Sequence, residues 1–243
     1  MDWHCPPQIY QIKLRDDIGR GGHNQWSLRG CTINNTAPHA DNIALQLMLT
    51  NKSARVKKQL KAIAEVNQKL KDEGDDFCLL SGIEVDVLKN GLDLEDDLLA
   101  QLEVVVASMH VAGSDEADNT KRLITAAENP NVHMIGHLSG RLLLGRAPQK
   151  LNQQAVIDAC AATGTWIELN ANPHRLDLDW RHWQYAKSKG VKCVINSDAH
   201  RNEHADFLRI GTGIARKGWL TKGDVINTLP LAKLRKELAK KRN

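Results

Sequence analysis

The 243-residue chain lacks the cysteine pairs that mark disulfide-rich proteins and thiolate zinc sites. Its five cysteines are scattered, odd in number and without a C-x-x-C pair, so neither kind of site is indicated. No run approaches the roughly 20 apolar residues of a membrane span. The start, Met1-Asp2-Trp3-His4, lacks the basic and apolar regions of a signal peptide. We therefore expect reduced cysteines, a cytoplasmic location and no membrane partner.

The chain also lacks a strong charge of one sign and the length for two generous domains. Its net charge is +4, and 42% hydrophobic residues in 243 suit one sizeable core, so we expect one domain. Much of the basic excess lies in residues 233–242, a helix-like tail. Such a tail is typical of a solvated helix face, with a nucleic-acid contact as the alternative.

Five short apolar runs each lead into a residue of a metal-binding type. They are Leu-Ser-Gly-Ile-Glu (80–84), Val-Val-Val-Ala-Ser-Met-His (104–110), Val-His-Met-Ile-Gly-His (132–137), Trp-Ile-Glu-Leu-Asn (166–170) and Val-Ile-Asn-Ser-Asp-Ala-His (194–200). In α/β proteins the C-terminal ends of parallel strands meet at one mouth of a barrel or sheet. The pattern predicts a polynuclear metal site there.

From about Phe77 onward, these apolar runs alternate with segments of helical spacing. The predicted helices are 92–102, 116–128, 152–163, 180–189 and 221–240. Repeated βα units imply a largely parallel sheet, as in the short connection at Gly190 into a strand over 191–196. Because ligand types end five separate strands, closure into a barrel is favoured over an open sheet.

The first 75 residues differ from the rest. Residues 19–51 contain turn-forming pairs such as Gly-Gly and Ala-Pro and no convincing strand. After them, residues 57–71 read as an amphipathic helix with one buried stripe. The predicted stripe is Leu60, Ile63, Ala64, Asn67 and Leu70.

Glu84, His110 and His137 are the first candidate ligands. A carboxylate at the end of an apolar strand must pair or coordinate a cation, and an ion pair is the alternative for Glu84. A lone histidine after a strand is more often a hydrogen-bonded core residue, but several together favour ligands. One glutamate and two histidines on neighbouring strands would make a three-ligand site with positions open to water.

Asp198 and His200 stand two apart at a strand end, so one turn can deliver two further ligands to the same cavity. We assign His133, in mid-strand, to packing. His39, His182 and His204 are taken as surface residues.

Oxygen and nitrogen ligands without thiolate indicate Zn²⁺, Mn²⁺ or Fe²⁺. A cluster of such ions suits phosphate ester hydrolysis, because the metals hold phosphoryl oxygens and lower the pKa of a bound water. Arg141, Arg146 and Arg175 follow strand ends and are candidate substrate clamps, with surface salt bridges as the equal alternative. Asn170 and Asn172 are expected to help Arg175 hold the substrate.

Six runs resemble a known family closely: residues 80–86, 105–110, 136–141, 168–177, 196–200 and 211–220. They are similar to the polymerase and histidinol phosphatase (PHP) domain, in the form found as the C-terminal module of bacterial family X DNA polymerases. The likeness covers residues 77–238. It implies an α/β fold, a distorted (β/α)7 barrel holding up to three metal ions, and a 3′–5′ exonuclease or related phosphoesterase acting on DNA ends. By this resemblance Glu84, His110, His137, Asp198 and His200 fall on metal-ligand positions.

The resemblance fails in the early segment. Family members open with Asp-Leu-His-x-His, then Trp-Ser-Asp-Gly and Thr-Asp-His, where this chain has Gly-Arg-Gly-Gly-His (19–23), Trp-Ser-Leu-Arg (26–29) and Thr-Asn-Lys-Ser (50–53). His23 is the ligand that this comparison leaves there, so fewer ions than three are expected. We predict a degenerate N-terminal barrel segment, residues 1–55, with one or two irregular βα units, and a βα-repeat body, residues 56–243. A stretch read out of frame, or a decayed gene copy, would explain the segment.

Three functions follow from the sequence. The first is a metal-dependent phosphoesterase that acts on nucleic-acid ends, in which Glu84 bridges ions and Asp198 orients the nucleophile. Since we expect no nucleotidyltransferase core in this chain, a polymerase half would be a separate chain. The second is a catalytically impaired binding or structural module. The third is a small-molecule phosphatase of the histidinol phosphate type.

Overall fold

Strands and helices alternate along the chain. The computed structural model describes residues 52–75, 77–200 and 202–242. Their six strands are β1 (Gly82–Leu88), β2 (Gly91–Leu92), β3 (Val104–Ser108), β4 (Met134–Ile135), β5 (Trp166–Asn170) and β6 (Cys193–Asn196). Their seven α-helices are α1 (Lys52–Asp72), α2 (Asp96–Leu99), α3 (Glu116–Glu128), α4 (Gln153–Thr163), α5 (Trp180–Ser188), α6 (Phe207–Lys217) and α7 (Leu231–Lys240).

The six strands form one sheet in the order β2-β1-β3-β4-β5-β6. From β1 to β6 all neighbours pair in parallel, whereas β2 runs antiparallel to β1 as the second strand of a hairpin. The predicted α/β fold with a largely parallel sheet is confirmed. Closure into a (β/α)7 barrel stays a prediction. Residues 1–51, which make up most of the predicted N-terminal segment, lie outside the described residues.

Apolar side chains are buried on both faces of the sheet, which explains why the strands read as nearly continuous apolar runs. Val105, Ile135 and Ile167 belong to the larger buried cluster, together with side chains of α3 to α6. Val106 and Met134 point to the opposite face and belong to a second cluster. We call this opposite face, which also carries Glu84, the inner face.

The basic C-terminal helix α7 covers the apolar part of the inner face. Leu234 and Leu238 are 1% and 5% exposed within the second cluster. Beyond the helix, the Lys241 ammonium donates to the carbonyls of Ala127 at 2.8 Å and Thr163 at 3.1 Å. These carbonyls lie at the ends of α3 and α4, where a cation is favourable. The expected solvated face is therefore only the outer side of a docked helix.

Two predicted helices are wrong in extent. Residues 92–102 contain the end of a hairpin and the short α2, since β1 continues past Glu84 to Leu88 and turns back. Glu84 therefore lies within a strand and not at its end. Residues 221–240 are interrupted at Pro230, which has no backbone N–H and can only begin α7.

Helix α1 begins at Lys52, earlier than predicted. Its buried positions include Val56, Gln59 and Leu70, while Ala64, expected on the stripe, is exposed. The buried Gln59 is satisfied because its side-chain amide donates to the Gly82 carbonyl at 2.9 Å. This bond ties α1 to the start of β1.

The cysteines that the structure describes, Cys78, Cys160 and Cys193, are free thiols, as expected. Among the helices of residues 52–242 that are described, none has both the length and the apolar character needed to cross a membrane.

Candidate metal centre

Three of the predicted ligands meet beside the carboxyl end of the sheet. Ligand atoms of Glu84, His110 and His137 all lie within 4.8 Å of one another. His137 Nε2 is 3.1 Å from Glu84 Oε1, and His110 Nε2 is 3.4 Å from the same oxygen. Within the described residues of the chain, this is the one group of three such side chains that the distance selects. Their role as ligands stays a prediction.

The parallel register brings the three side chains together. Glu84 lies opposite Val106, so β1 and β3 run side by side at this point. His110 follows the end of β3 and His137 follows the end of β4, each by two residues. Because neighbouring parallel strands end at the same edge, both imidazoles reach the Glu84 carboxylate from the loops.

The turn that carries His137 depends on close strand packing. A Cβ atom at Gly136 would lie 2.3 Å from Ser108 Oγ and 2.8 Å from a Val106 methyl group, so only glycine fits there. His137 then adopts φ 24°, and its backbone N–H donates to Glu168 Oε2 at 2.6 Å. A buried carboxylate on β5 thus fixes the loop that delivers His137.

The donor set fits a divalent cation. The Glu84 side chain is 6% exposed and that of His137 is 2%, whereas that of His110 is 26% and borders solvent. A buried carboxylate is costly unless a proton or a cation compensates it. Two imidazole nitrogens and one carboxylate oxygen form a set that catalytic zinc sites use with a position left open, and that also suits Mn²⁺ and Fe²⁺.

Glu168 connects this centre to the next strand, a role that sequence reasoning missed. Its side chain accepts hydrogen bonds from the Asn196 amide at 2.8 Å and the Asn170 amide at 3.4 Å. The Asn170 amide also donates to Asp198 Oδ2 at 3.1 Å. The alternation along β5 could have revealed the role, because Glu168 shares the inner face with Asn170.

Asp198 and His200 lie in the loop after β6, outside the 4.8 Å group. Asp198 adopts φ 49°, and its carbonyl lies 2.7 Å from His200 Nδ1. The backbone N–H of His200 donates to His204 Nδ1 at 3.2 Å. His204 is half-buried, whereas the sequence predicted a surface residue. Both Asp198 and His200 remain predicted ligands. His23, the other predicted ligand, lies outside the described residues.

The three predicted arginine clamps differ in their contacts. Arg141 pins the segment after β5, since its Nε donates to the Arg175 carbonyl at 2.9 Å and its Nη1 to the Asp179 carboxylate. Arg146 is exposed, and its Nη2 donates to the Gly140 carbonyl at 2.6 Å. For both arginines a substrate-clamping role stays a prediction, but Arg141 has an evident structural task.

Arg175 points toward Asp198. Its Nε lies 3.4 Å from Asp198 Oδ2, and its side chain is 16% exposed. Its Nη1 is buried without a hydrogen-bond partner. Asn172, the other predicted substrate residue, accepts a hydrogen bond from the His174 N–H at 3.0 Å through its side-chain oxygen. An unsatisfied guanidinium donor beside Asp198 suits an anionic oxygen.

Two further acids, Asp177 and Asp179, hold the loop after His137. Asp177 is fully buried, and its Oδ1 accepts the Ser139 N–H at 3.1 Å. Burial raises the pKa of the Asp177 carboxyl. Hydrogen bonds from Arg181 are the main reason why the pKa of Asp179 lies well below its usual range. Nothing in the spacing of these residues predicted this anchoring role.

Fold and site together define an α/β protein with a candidate divalent-metal centre at the carboxyl end of its sheet. No protein-family model matches the chain. It is similar to the DNA polymerase/3′-5′ exonuclease PolX of Bacillus subtilis (strain 168), with 41% identity over 179 residues, 73% of the chain and 31% of that relative. The chain therefore spans less than a third of the PolX sequence.

The chain is also similar to proteins described as probable phosphatases. That of Thermoanaerobacter sp. (strain X514) is 28% identical over 176 residues, 68% of this chain and 69% of that protein. That of Clostridium acetobutylicum is 29% identical over 136 residues, 51% of this chain and 53% of that protein. Homology to PolX and to these proteins supports a phosphoesterase type of function.

Proposed function

We propose that the chain is a metal-dependent phosphoesterase of the PHP type that hydrolyses phosphate esters at DNA ends from the 3′ side. The observation that carries the proposal is the convergence of Glu84, His110 and His137 within 4.8 Å. Similarity to a protein named DNA polymerase/3′-5′ exonuclease supports DNA ends as the proposed substrate.

The chemistry divides between the ion and the chain. A divalent ion, when bound, supplies Lewis-acid stabilisation of charge on the phosphoryl oxygens. Glu84 would ligate the ion, or bridge two of them, with His110 and His137 completing its protein ligands. Asp198 would orient the attacking water, and Asn170 holds that carboxylate through its 3.1 Å hydrogen bond. The buried Nη1 of Arg175 would donate to a phosphate oxygen.

The experiment is a hydrolysis assay on the purified chain with Mn²⁺ or Zn²⁺. The substrates are 5′-labelled single-stranded DNA and histidinol phosphate. Stepwise loss of nucleotides from the 3′ end supports the proposal. Release of phosphate from histidinol phosphate, without loss of nucleotides from DNA, would instead support a small-molecule phosphatase. Similarity to the probable phosphatases favours this second candidate, since one of them is matched over 69% of its length.

A catalytically impaired module is the second alternative. It is favoured by the sequence at residues 19–23, where Gly21 replaces a family histidine, and by the absence of Thr-Asp-His at residues 50–53. Fewer than one tightly held ion per chain, together with no nucleotide release in Mn²⁺, would establish this alternative. Similarity to a DNA polymerase also supports, as a proposed partner, a polymerase half on a separate chain.

A further inference from the structure

The imidazole of His110 has a carboxylate at each of its two nitrogens. Its Nε2 faces Glu84 Oε1 at 3.4 Å. Its Nδ1 is hydrogen-bonded to Asp86 Oδ1. Glu84 and Asp86 are two residues apart on β1, so both project from the same face of the strand.

The backbone of the β1–β2 hairpin holds Asp86 in place. The Asp86 N–H donates to the Asp93 side chain at 2.9 Å, and the Asp86 carbonyl accepts the Asp93 N–H at 3.0 Å. On the other side Asp86 pairs with Ser108 of β3. The backbone that carries the Asp86 carboxylate is therefore held in place. The carboxylate in turn orients the imidazole of His110, which is more exposed than that of His137.

We propose that Asp86 is a positioning residue for the metal ligand His110. By accepting the Nδ1–H, the carboxylate selects the tautomer whose Nε2 lone pair points toward Glu84, where an ion would be held. Carboxylate–histidine–metal arrangements of this kind tune many metal sites. The inference rests on the proposed metal centre.

The geometry favours this role over direct ligation by Asp86. The two nitrogens of an imidazole direct their lone pairs away from each other, so a group bonded at Nδ1 lies outside the coordination shell of an ion at Nε2. Asp86 is also absent from the group of ligand atoms within 4.8 Å, which consists of Glu84, His110 and His137.

The test compares Asp86→Ala and Asp86→Asn with wild type in the full chain. Asp97→Ala, at an exposed acid on α2, is the matched control. Zn²⁺ affinity is measured by calorimetry. We expect Asp86→Ala to weaken binding by about 10- to 100-fold, the usual effect of losing such a partner. Asp86→Asn should lose much less, because its amide oxygen still accepts the Nδ1–H, and Asp97→Ala should bind like wild type.

The second readout is the ¹⁵N spectrum of the His110 imidazole without metal. Wild type and Asp86→Asn should show the Nδ1–H tautomer, and Asp86→Ala should shift toward Nε2–H. Wild-type affinity in Asp86→Ala would overturn the inference, and so would equal losses in both variants, because Asp86→Asn keeps an oxygen that accepts the Nδ1–H. If wild type binds no Zn²⁺, the proposed function fails, while the tautomer comparison still decides the role of Asp86.

Discussion

Single side chains determine whether the centre can hold a cation. Glu84 is the common neighbour of both imidazoles, with His137 Nε2 at 3.1 Å and His110 Nε2 at 3.4 Å. Its burial means that its charge needs a compensating cation or proton. The two histidines thus depend on this one carboxylate for a shared site.

Glu84→Gln tests that dependence. The amide keeps the size of the side chain but removes its charge and one ligand oxygen, so hydrolysis should be abolished and bound metal lost. The helical content, measured by circular dichroism, should stay unchanged. Hydrolysis at the wild-type rate in Glu84→Gln would exclude a bridging or ligating role.

The burial of His133 predicts that the stability of the protein depends on pH, independently of the candidate metal centre. It is 1% exposed, and its Nδ1 accepts the Val105 N–H at 3.1 Å. Burial, with a smaller contribution from the Arg242 charge, lowers the pKa of the imidazole to about 3. The unfolded chain takes up this proton near its ordinary pKa of about 6.5. The contribution to stability is therefore complete above that pH and is lost as the pH falls toward 3.

His133→Asn removes the titration and keeps an acceptor for the Val105 N–H. Urea unfolding at pH 7, 6 and 5 should show that the free energy of unfolding of wild type falls more steeply than that of the variant. Below pH 6.5 the difference in slope should approach about 1.4 kcal/mol per pH unit. Equal slopes in the two proteins would show that His133 does not titrate as its burial predicts.

The sequence predicted candidate ligands within or just after apolar strands, and it missed the residues that hold these ligands in place. Glu84, His110 and His137 stand out because a polar side chain interrupts or follows an apolar run. Asp86 and Asp177 do not, because an acid near a strand end is ordinary until its partner is known. Their contacts to His110 and Ser139 join segments more than 20 residues apart, and no local pattern encodes such contacts.

Among elements, the docked helix α7 has the clearest energetic role. Leu234 is 1% exposed against the inner face of the sheet, whereas Lys236 on the same helix is exposed. Leu234→Ala should lower the free energy of unfolding by about 2–5 kcal/mol, the usual cost of truncating a buried leucine. Lys236→Ala is the control and should change it by less than about 0.5 kcal/mol. Chemical denaturation measures both, and similar small effects would mean that α7 is not docked.

The close packing of β3 against the residue after β4 leads to a further prediction about stability. A methyl group at Gly136 would collide with Ser108 Oγ at 2.3 Å, so Gly136→Ala should cost about 1–3 kcal/mol. Ser108→Ala, which removes a buried hydroxyl without a partner, should be nearly neutral alone and should restore some of the loss in the double variant. Strictly additive losses in a double-mutant cycle would contradict the proposed collision.

Element boundaries were predictable where local signals were strong. The helix predicted over residues 116–128 is found as α3, and Asp115 caps it by accepting the Asp118 N–H. The helix predicted over residues 92–102 was wrong because the apolar spacing across the end of a hairpin and a short helix resembles that of one longer helix. The strand β1 is longer than its apolar run because pairing with β2 and β3 supports its polar residues.

For the whole molecule, the sequence predicted an α/β fold with a parallel sheet, and the described residues confirm it. Closure into a barrel stays a prediction, because it would require pairing between strands far apart in the sequence, which local patterns do not encode. The hypothesis of a reading-frame change in residues 19–52 is independent of the fold. Translating the coding DNA in its other frames should reveal Ser-Asp-Gly and Thr-Asp-His, and their absence would dispose of it.

The existence of a shared cation is best tested by anomalous diffraction from crystals of the full chain grown with Zn²⁺. A peak is expected within about 2.0–2.2 Å of Glu84 Oε1 and the Nε2 atoms of His110 and His137, the distances of zinc to oxygen and nitrogen ligands. Zinc bound elsewhere, or no anomalous peak between these three side chains, would contradict the proposed centre and the phosphoesterase function that depends on it.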